Sequence, residues 1–254
     1  MRISVCIATY NGAAYLPAQL QSIQTQLTAE DEIIIADDAS SDNTCALIEA
    51  LQDSRIRLLA GRERCGHVAR FAEALQAAEG DILMLADQDD IWLPGRVEAI
   101  RKALSQPGVL LVAGQFEQMN AAGEPLPPPE RKLRAADSQR WLANIVAILW
   151  GRRPYYGCAM AFKRPLLALA LPVPRATESH DLWLALAANS LRAVYHLEQP
   201  LLRKRQHAHN VSHPRRRPWL KLIRSRWGML CQLREIYRRR RHLPPPIISH
   251  DRAD

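Results

Sequence analysis

The sequence predicts an α/β protein with a mostly parallel sheet flanked by helices, followed by a basic helical C-terminal tail. Three observations predict it. Short β-branched runs alternate with segments of helical period over the first hundred residues, the pattern of strands joined by right-handed crossover helices. Polar clusters follow three of those runs directly: Thr9-Tyr10-Asn11, Asp37-Asp38 and Asp87-Gln88-Asp89-Asp90. Positive charge gathers at the far end of the chain.

Taken in order, Arg2–Ala8 is a first strand, ended by Asn11-Gly12. Apolar residues at 16, 20, 23 and 27 make Tyr15–Thr25 a helix. The isoleucine run of Glu32–Ala36 is a buried strand, and Ser40-Ser41-Asp42 offers an N-cap for a helix to about Leu51. Arg57–Ala60 is a third strand, Val68–Ala78 a helix ended near Gly80, Asp81–Ala86 a fourth strand, and Leu93–Leu104 a helix. The second half is less regular. It reads as a strand over Val109–Phe116, a Pro-rich loop over Gly123–Pro129 and an apolar helix over Trp141–Trp150. A strand over Tyr156–Phe162, a helix over Leu182–Leu191 and a short strand over Ala193–His196 follow. Trp219–Arg241 closes the series as a helix in which Trp219, Leu222, Ile223, Trp227, Leu230 and Tyr237 interleave with arginines.

Composition narrows the class. The 254 residues are 48% hydrophobic and 24% charged, which is globular. The net charge of +8 is uneven: from Arg203 onward 15 basic residues face three acids, so the body before it is mildly acidic. Such a tail attracts phosphates, whether of nucleic acid, anionic lipid or a diphosphate substrate. A basic amphipathic helix with Trp favours a membrane surface over a helix packed on the body with a solvated basic face. Nucleic acid is not expected, because no nucleic-acid motif accompanies the charge. The first apolar run is too short for a signal peptide, and no run of 18 apolar residues could span a bilayer. The five scattered cysteines, with no C-x-x-C, suit a reducing compartment. The expected location is therefore cytoplasmic, peripheral on the inner face of the membrane.

In open parallel sheets, ligands bind beyond the carboxyl ends of the strands, so the three polar clusters converge on one edge. Three carboxylates in D-Q-D-D repel one another unless a cation sits among them, and hard oxygen ligands suit Mg²⁺ or Mn²⁺; an acidic turn or helix cap is the plainer reading. Asp37-Asp38 suits either a base edge or ribose, or the cap of the next helix. Tyr10 offers a ring for stacking or part of a turn. Asp181 stands before an apolar helix as a cap or as a base, and His207 and His209 lie in a basic loop.

Together these residues resemble the family 2 glycosyltransferases, in particular bacterial rhamnosyltransferase-like members. The motifs are Ala8-Thr9-Tyr10-Asn11-Gly12, Asp37-Asp38 through Thr44, Gly80-Asp81 leading to Asp87-Gln88-Asp89-Asp90, Gly157–Phe162, His180-Asp181-Leu182-Trp183, and Arg205-Gln206-His207 followed by Asn210-Val211-Ser212. The resemblance implies a GT-A type, Rossmann-like fold over residues 1–213. Residues 1–105 would form the nucleotide-sugar half, 106–213 the acceptor half, and 214–254 the basic tail. It implies inverting transfer of a hexosyl or rhamnosyl group from a UDP- or dTDP-sugar to a glycan or polyprenyl-diphosphate-linked acceptor. Thr9, Tyr10, Asn11, Asp37, Asp38, Arg70 and Asp87 would form the donor nucleotide site, with Arg70 and Cys65 standing where close relatives often carry Asn. Asp89, Asp90 and His207 would hold Mg²⁺ or Mn²⁺. Arg205, His207, His180 and Trp183 would lie in the diphosphate and acceptor region, and Asp181 would be the general base. A nucleotidyltransferase would want a Gly-rich phosphate loop near the first strand, and a dinucleotide oxidoreductase a G-x-G, which the chain lacks. The non-enzymatic alternative is a nucleotide-, membrane- or nucleic-acid-binding module led by the tail.

Overall fold

The computed structural model describes residues 1–207 and 219–243 and, of residues 220 and 221, the backbone alone. Asn210-Val211-Ser212, His209 and the last eleven residues of the tail lie outside the described residues. The first half runs β1 (Ile3–Thr9), α1 (Leu16–Gln24), β2 (Glu32–Asp37), α2 (Thr44–Ala50), β3 (Ile56–Ala60), α3 (His67–Ala77), β4 (Ile82–Asp87), β5 (Ile91–Trp92) and α4 (Arg96–Leu104). The second half runs β6 (Leu111–Met119), β7 (Pro125–Leu126), α5 (Trp141–Leu149), β8 (Met160–Lys163), α6 (Leu167–Ala170), α7 (His180–Ser190), β9 (Val194–Arg205) and α8 (Trp219–Arg240).

The strands form one sheet in the order β3-β2-β1-β4-β8-β6-β9-β5, with β7 on β6. β3, β2, β1 and β4 are mutually parallel, and β6 and β9 are parallel again. The short strands β5, β7 and β8 run antiparallel to their neighbours. Alternate residues of each central strand face opposite layers. Cys6, Ile34, Leu83 and Leu85 join one apolar cluster with α3 and α7, whereas Val5, Ile7, Ile33, Ile35 and Met84 join another with α1 and α4. Coverage on both faces is why these strands read as unbroken apolar runs.

Several expectations are corrected. β9 does not stop at His196 but continues to Arg205. Pro200 sits mid-strand at register shifts opposite Gln115, where a bulge relieves the need for its missing N–H. The Tyr156–Phe162 strand shrinks to β8, because Gly157–Ala159 form a 3₁₀ turn. α4 begins at Arg96, after Gly95 takes a left-handed conformation at φ 79°. α7 starts at His180, so Asp181 lies inside its first turn and Ser179 is the cap, its side chain accepting from the Leu182 N–H. α8 presents two faces: Ser225, Met229, Gln232 and Ile236 are buried against the body, while Trp219, Ile223, Trp227 and Leu230 are exposed.

One buried polar site ties the second half together. The His196 ring lies between the Arg134 carbonyl, 3.0 Å from Nδ1, and the Tyr155 hydroxyl, 2.8 Å from Nε2. A carbonyl only accepts, so Nδ1 carries the proton and Nε2 accepts from Tyr155. Burial pushes the imidazole down to about 4. Above the ordinary imidazole value of about 6.5 this group is neutral in both folded and unfolded chains. As pH falls from there toward 4, only the unfolded chain takes up the proton, so stability is lost over that window, by about 3 kcal/mol in the limit. His196→Gln is expected to remove that portion of the pH dependence in urea unfolding. An unchanged slope between pH 6.5 and 4.5 would show that His196 titrates normally.

Candidate active site

β1 pairs with β2 on one side and β4 on the other, so the chain order reverses there. That switch point opens a crevice at the carboxyl ends. Register places Thr9 opposite Asp37 and Ala8 opposite Asp87. Thr9 Oγ1 donates to Asp37 Oδ1 at 2.9 Å, and the Ser40 N–H donates to Asp37 Oδ2 at 2.8 Å. Asp37 is thus consumed in joining two strand ends. Asn11, with φ 47°, accepts the Ser41 N–H at 2.9 Å and so closes the neighbouring loop. Gln88 clamps the first loop to the acidic one, accepting from the Tyr10 N–H at 2.9 Å and donating to the Tyr10 carbonyl at 3.2 Å.

The Asp38 carboxylate turns into the loop before α3. It accepts from the Cys65 N–H at 2.7 Å, the Gly66 N–H at 3.0 Å and Arg70 Nε at 3.1 Å. Burial raises its pKa, but those donors outweigh burial and hold it below the usual carboxylate range. Arg70 is itself buried and bridges Asp38, Glu73 and the Glu63 carbonyl. Both residues therefore shape the loop over 61–66 rather than presenting free edges. Arg64, on that loop, lies 3.8 Å above the Tyr10 ring. Arg64 carried no signal of its own in the sequence, because it stands in a run of exposed charges.

The acidic cluster divides in two. Asp89 Oδ2 lies 2.7 Å from His207 Nε2, and both side chains are about nine-tenths buried. Tyr15 stacks on the His207 ring at 4.9 Å, and the Arg205 guanidinium lies over the Tyr15 ring, 4.8 Å from its centroid. Arg205 Nε donates to the Asp89 carbonyl at 2.9 Å and Nη1 to the Ala121 carbonyl at 2.9 Å. Arg205 thereby pins the D-Q-D-D loop. Asp90 is fully buried and accepts the Arg205 N–H at 3.0 Å through Oδ1. Burial, reinforced by Asp87 and Asp89 and opposed by Lys204, pushes its carboxyl up to about 7.

Behind the pair, Lys204 Nζ donates to Asp87 Oδ2 at 2.9 Å and sits 3.6 Å from Cys158 Sγ. Burial alone would raise the Asp87 carboxyl, but the Lys204 ammonium overrides it and holds it low. Lys204 is reciprocally held charged, chiefly by Asp87 against the pull of burial. Lys204→Met leaves three clustered carboxylates without that cation, and a cost of about 3 kcal/mol in chemical denaturation is expected. A loss under about 1 kcal/mol, the value of an exposed pair, would show that solvent at Asp87 substitutes for the lysine.

Asp181 Oδ1 accepts the Leu182 N–H at 2.8 Å and contacts Ser179 Oγ, while Oδ2 takes only a long 3.3 Å bond from the Gly157 N–H. Gly157 is required here, since a Cβ would come within 2.9 Å of His180 Nε2. His180 is buried, stacked on Phe71 with centroids 4.0 Å apart, and its two ring nitrogens lack partners among the described residues. Burial holds it neutral against the pull of Asp181 and Asp87. Trp183 is fully buried in the core, with its indole N–H bonded to the Ala170 carbonyl at 2.8 Å.

The donor chemistry tests the fit of a divalent cation. Asp89 and His207 offer a hard oxygen and an imidazole nitrogen side by side, a set that suits Mn²⁺ or Mg²⁺. Asp87, Asp90 and Cys158 also converge within 4.8 Å, but the Lys204 ammonium already serves as the cation of that group. The fit therefore favours the outer pair.

The family model of glycosyl transferase family 2 matches residues 4–167. The chain belongs to that family. Among family 2 relatives it is 34% identical over 179 residues to an uncharacterized glycosyltransferase of Nostoc sp., covering 68% of this chain and 54% of that one. It is 30% identical over 118 residues to the Escherichia coli UDP-Glc:alpha-D-GlcNAc-diphosphoundecaprenol beta-1,3-glucosyltransferase WfgD, covering 46% of this chain and 47% of that one. The chain spans about half the length of these curated relatives. Staphylococcus aureus TarS, solved with UDP-GlcNAc, superposes with a TM-score of 0.69 at 16% identity, covering 96% of this chain and 73% of that one. The Pyrobaculum calidifontis mannosyltransferase PcManGT, solved with GDP-Man and Mn²⁺, gives 0.60 at 18% identity, covering 93% and 73%. The fold of this family 2 chain is the GT-A type.

Proposed function

We propose that this chain is an inverting glycosyltransferase that moves a hexosyl or rhamnosyl group from a UDP- or dTDP-sugar to a hydroxyl of a glycan or polyprenyl-diphosphate-linked acceptor in polysaccharide synthesis. The observation that carries the reading is the pairing of Asp89 with His207 at the switch point of a family 2 fold. The E. coli relative named for a diphosphoundecaprenol acceptor supports a lipid-linked acceptor. We assign residues 1–213 to transfer and 214–254 to a basic tail that brings the enzyme to the cytoplasmic face of an anionic membrane.

In this mechanism Thr9, Tyr10 and Asn11 line the nucleoside site, and Asp37, Asp38 and Arg70 hold its loops. Asp89 and His207 would hold Mg²⁺ or Mn²⁺, which when bound compensates charge on the diphosphate as a Lewis acid. Arg205 fixes Asp89 from behind, and Lys204 keeps Asp87 ionised and oriented. The acceptor hydroxyl attacks the anomeric carbon from the face opposite the diphosphate, so one displacement inverts the configuration. Asp181 Oδ2 is the oxygen with the weaker internal bond and takes the hydroxyl proton.

The test is calorimetric titration with UDP, dTDP and GDP, each with and without Mn²⁺. Metal-dependent binding of UDP or dTDP is expected. Absence of binding to all three would remove the transferase reading.

A further inference from the structure

α5 enters the sequence only as an apolar helix too short to cross a bilayer, yet one side of it is bare. Asn144, Ile145 and Ile148 are buried, whereas Leu142, Val146 and Trp150 are exposed, Trp150 by 69%. Those three recur at four-residue spacing, so they line one face. A shallow groove of about 310 Å³ runs along it, lined by Ala143, Val146, Ala147, Trp150 and Arg152. α8 repeats the arrangement. Trp219, Ile223, Trp227 and Leu230 lie on the side away from its buried seam, and both tryptophans are 68% exposed.

The two helices approach each other at Gly151. The Arg226 guanidinium packs over Gly151, where a Cβ would approach within 2.5 Å. Arg131 donates to the Gly151 carbonyl at 2.8 Å, and Arg152 lies 6.0 Å from the Trp150 ring. Among the described residues none of these three arginines is in an ion pair. The junction between two apolar stripes is therefore positively charged, and the exposed Arg224 and Arg234 extend the charge along α8.

We propose that the exposed faces of α5 and α8 form one docking platform for an anionic phospholipid bilayer. Tryptophans beside arginines match the boundary between acyl chains and headgroup phosphates. Each cation near an anionic leaflet raises affinity about fivefold, so the junction selects charged over neutral lipid. No helix among the described residues is long and apolar enough to span a membrane, so the attachment is to the surface. The inference rests on the lipid-linked acceptor of the proposed transferase and extends it: the platform includes α5 of the body as well as the tail.

The experiment is co-sedimentation with vesicles of phosphatidylcholine alone or mixed with phosphatidylglycerol, alongside Mn²⁺-dependent UDP and dTDP titration of each protein. The full chain is expected to sediment only with the phosphatidylglycerol mixture. A Leu142→Ser/Val146→Ser/Trp150→Ser variant, changed only at exposed positions, is expected to lose about tenfold in vesicle affinity while nucleotide titration stays unchanged. Ile223→Ser/Trp227→Ser is expected to lose as much. No sedimentation of a chain that still binds nucleotide would overturn the platform and leave the transferase standing. Sedimentation indifferent to the α5 changes would overturn the shared platform. A vesicle-independent dimer that the serine variants dissolve would assign the faces to a second copy and overturn it too. Vesicle binding without any nucleotide binding would keep the surface and remove the transferase.

Discussion

Asp181→Asn is expected to leave nucleotide binding within a few-fold of wild type and to lower turnover by about 10²–10⁴-fold, the usual worth of a positioned base. The amide keeps one oxygen for the Leu182 N–H, which Asp181 Oδ1 accepts at 2.8 Å, so the start of α7 is retained. What it loses is the basic oxygen beside Gly157. The loss should therefore appear in kcat with KM little changed, the signature of an interaction made in the transition state. Steady-state assays with a fixed donor and varied acceptor give that split. Turnover within a few-fold of wild type would remove Asp181 as the base and leave it a helix-start residue beside Ser179.

Asp89→Ala is expected to abolish the gain in nucleotide affinity that Mn²⁺ confers, a change of at least about 100-fold given that even residues behind a ligand cost up to that much. The substitution spares the architecture, because Arg205 holds this loop through the Asp89 carbonyl at 2.9 Å, which alanine retains. Metal-free nucleotide binding should survive through the loops around Tyr10 and Asp38. Titration of UDP with and without Mn²⁺ reads both. An undiminished Mn²⁺ effect would transfer the ligand role to the inner Asp87–Asp90–Cys158 group and displace Lys204 from it.

The parallel half of the fold and its functional edge were legible because the cause is local. Ile33-Ile34-Ile35 and Ile82-Leu83-Met84-Leu85 are buried on both faces, and the polar residues that end them sit at the crevice by chain geometry alone. The second half was legible only in outline. The short strand expected over Ala193–His196 is the start of a bulged strand that continues to Arg205, so Lys204 and Arg205 read as part of a basic loop. The alternation of β9 could have placed them only if its pairing with β6 were known. Tyr15 passed as the start of a helix, although its ring holds His207. Trp183 entered the acceptor region through the family resemblance alone; its burial and the bond of its indole N–H to a main-chain carbonyl follow from packing that only the fold supplies.

The tail was also read too separately from the body. Ser225 Oγ donates to Glu178 at 3.0 Å, Gln232 reaches Thr177 at 3.4 Å, and Arg239 caps the carbonyls of Leu169 and Pro172. α8 thus braces the segment that leads into Asp181. Removing residues 214–254 would strip Ile236 from the core cluster along with the tail. Truncation is therefore a test of folding as much as of attachment, and point changes on the exposed face are the cleaner tool.

The Asp89–His207 pair spans 118 residues of chain, and the Lys204–Asp87 pair 117. Contacts of such separation form only after a long loop is closed, and the entropy of that closure is recovered late. During synthesis the acidic loop emerges long before its histidine and lysine. Until β9 has been added to the sheet, Asp87, Asp89 and Asp90 lack their cationic partners and repel one another. The site is thus completed only once β9 is in place, and a chain interrupted between β5 and β9 carries the carboxylates without the means to use them.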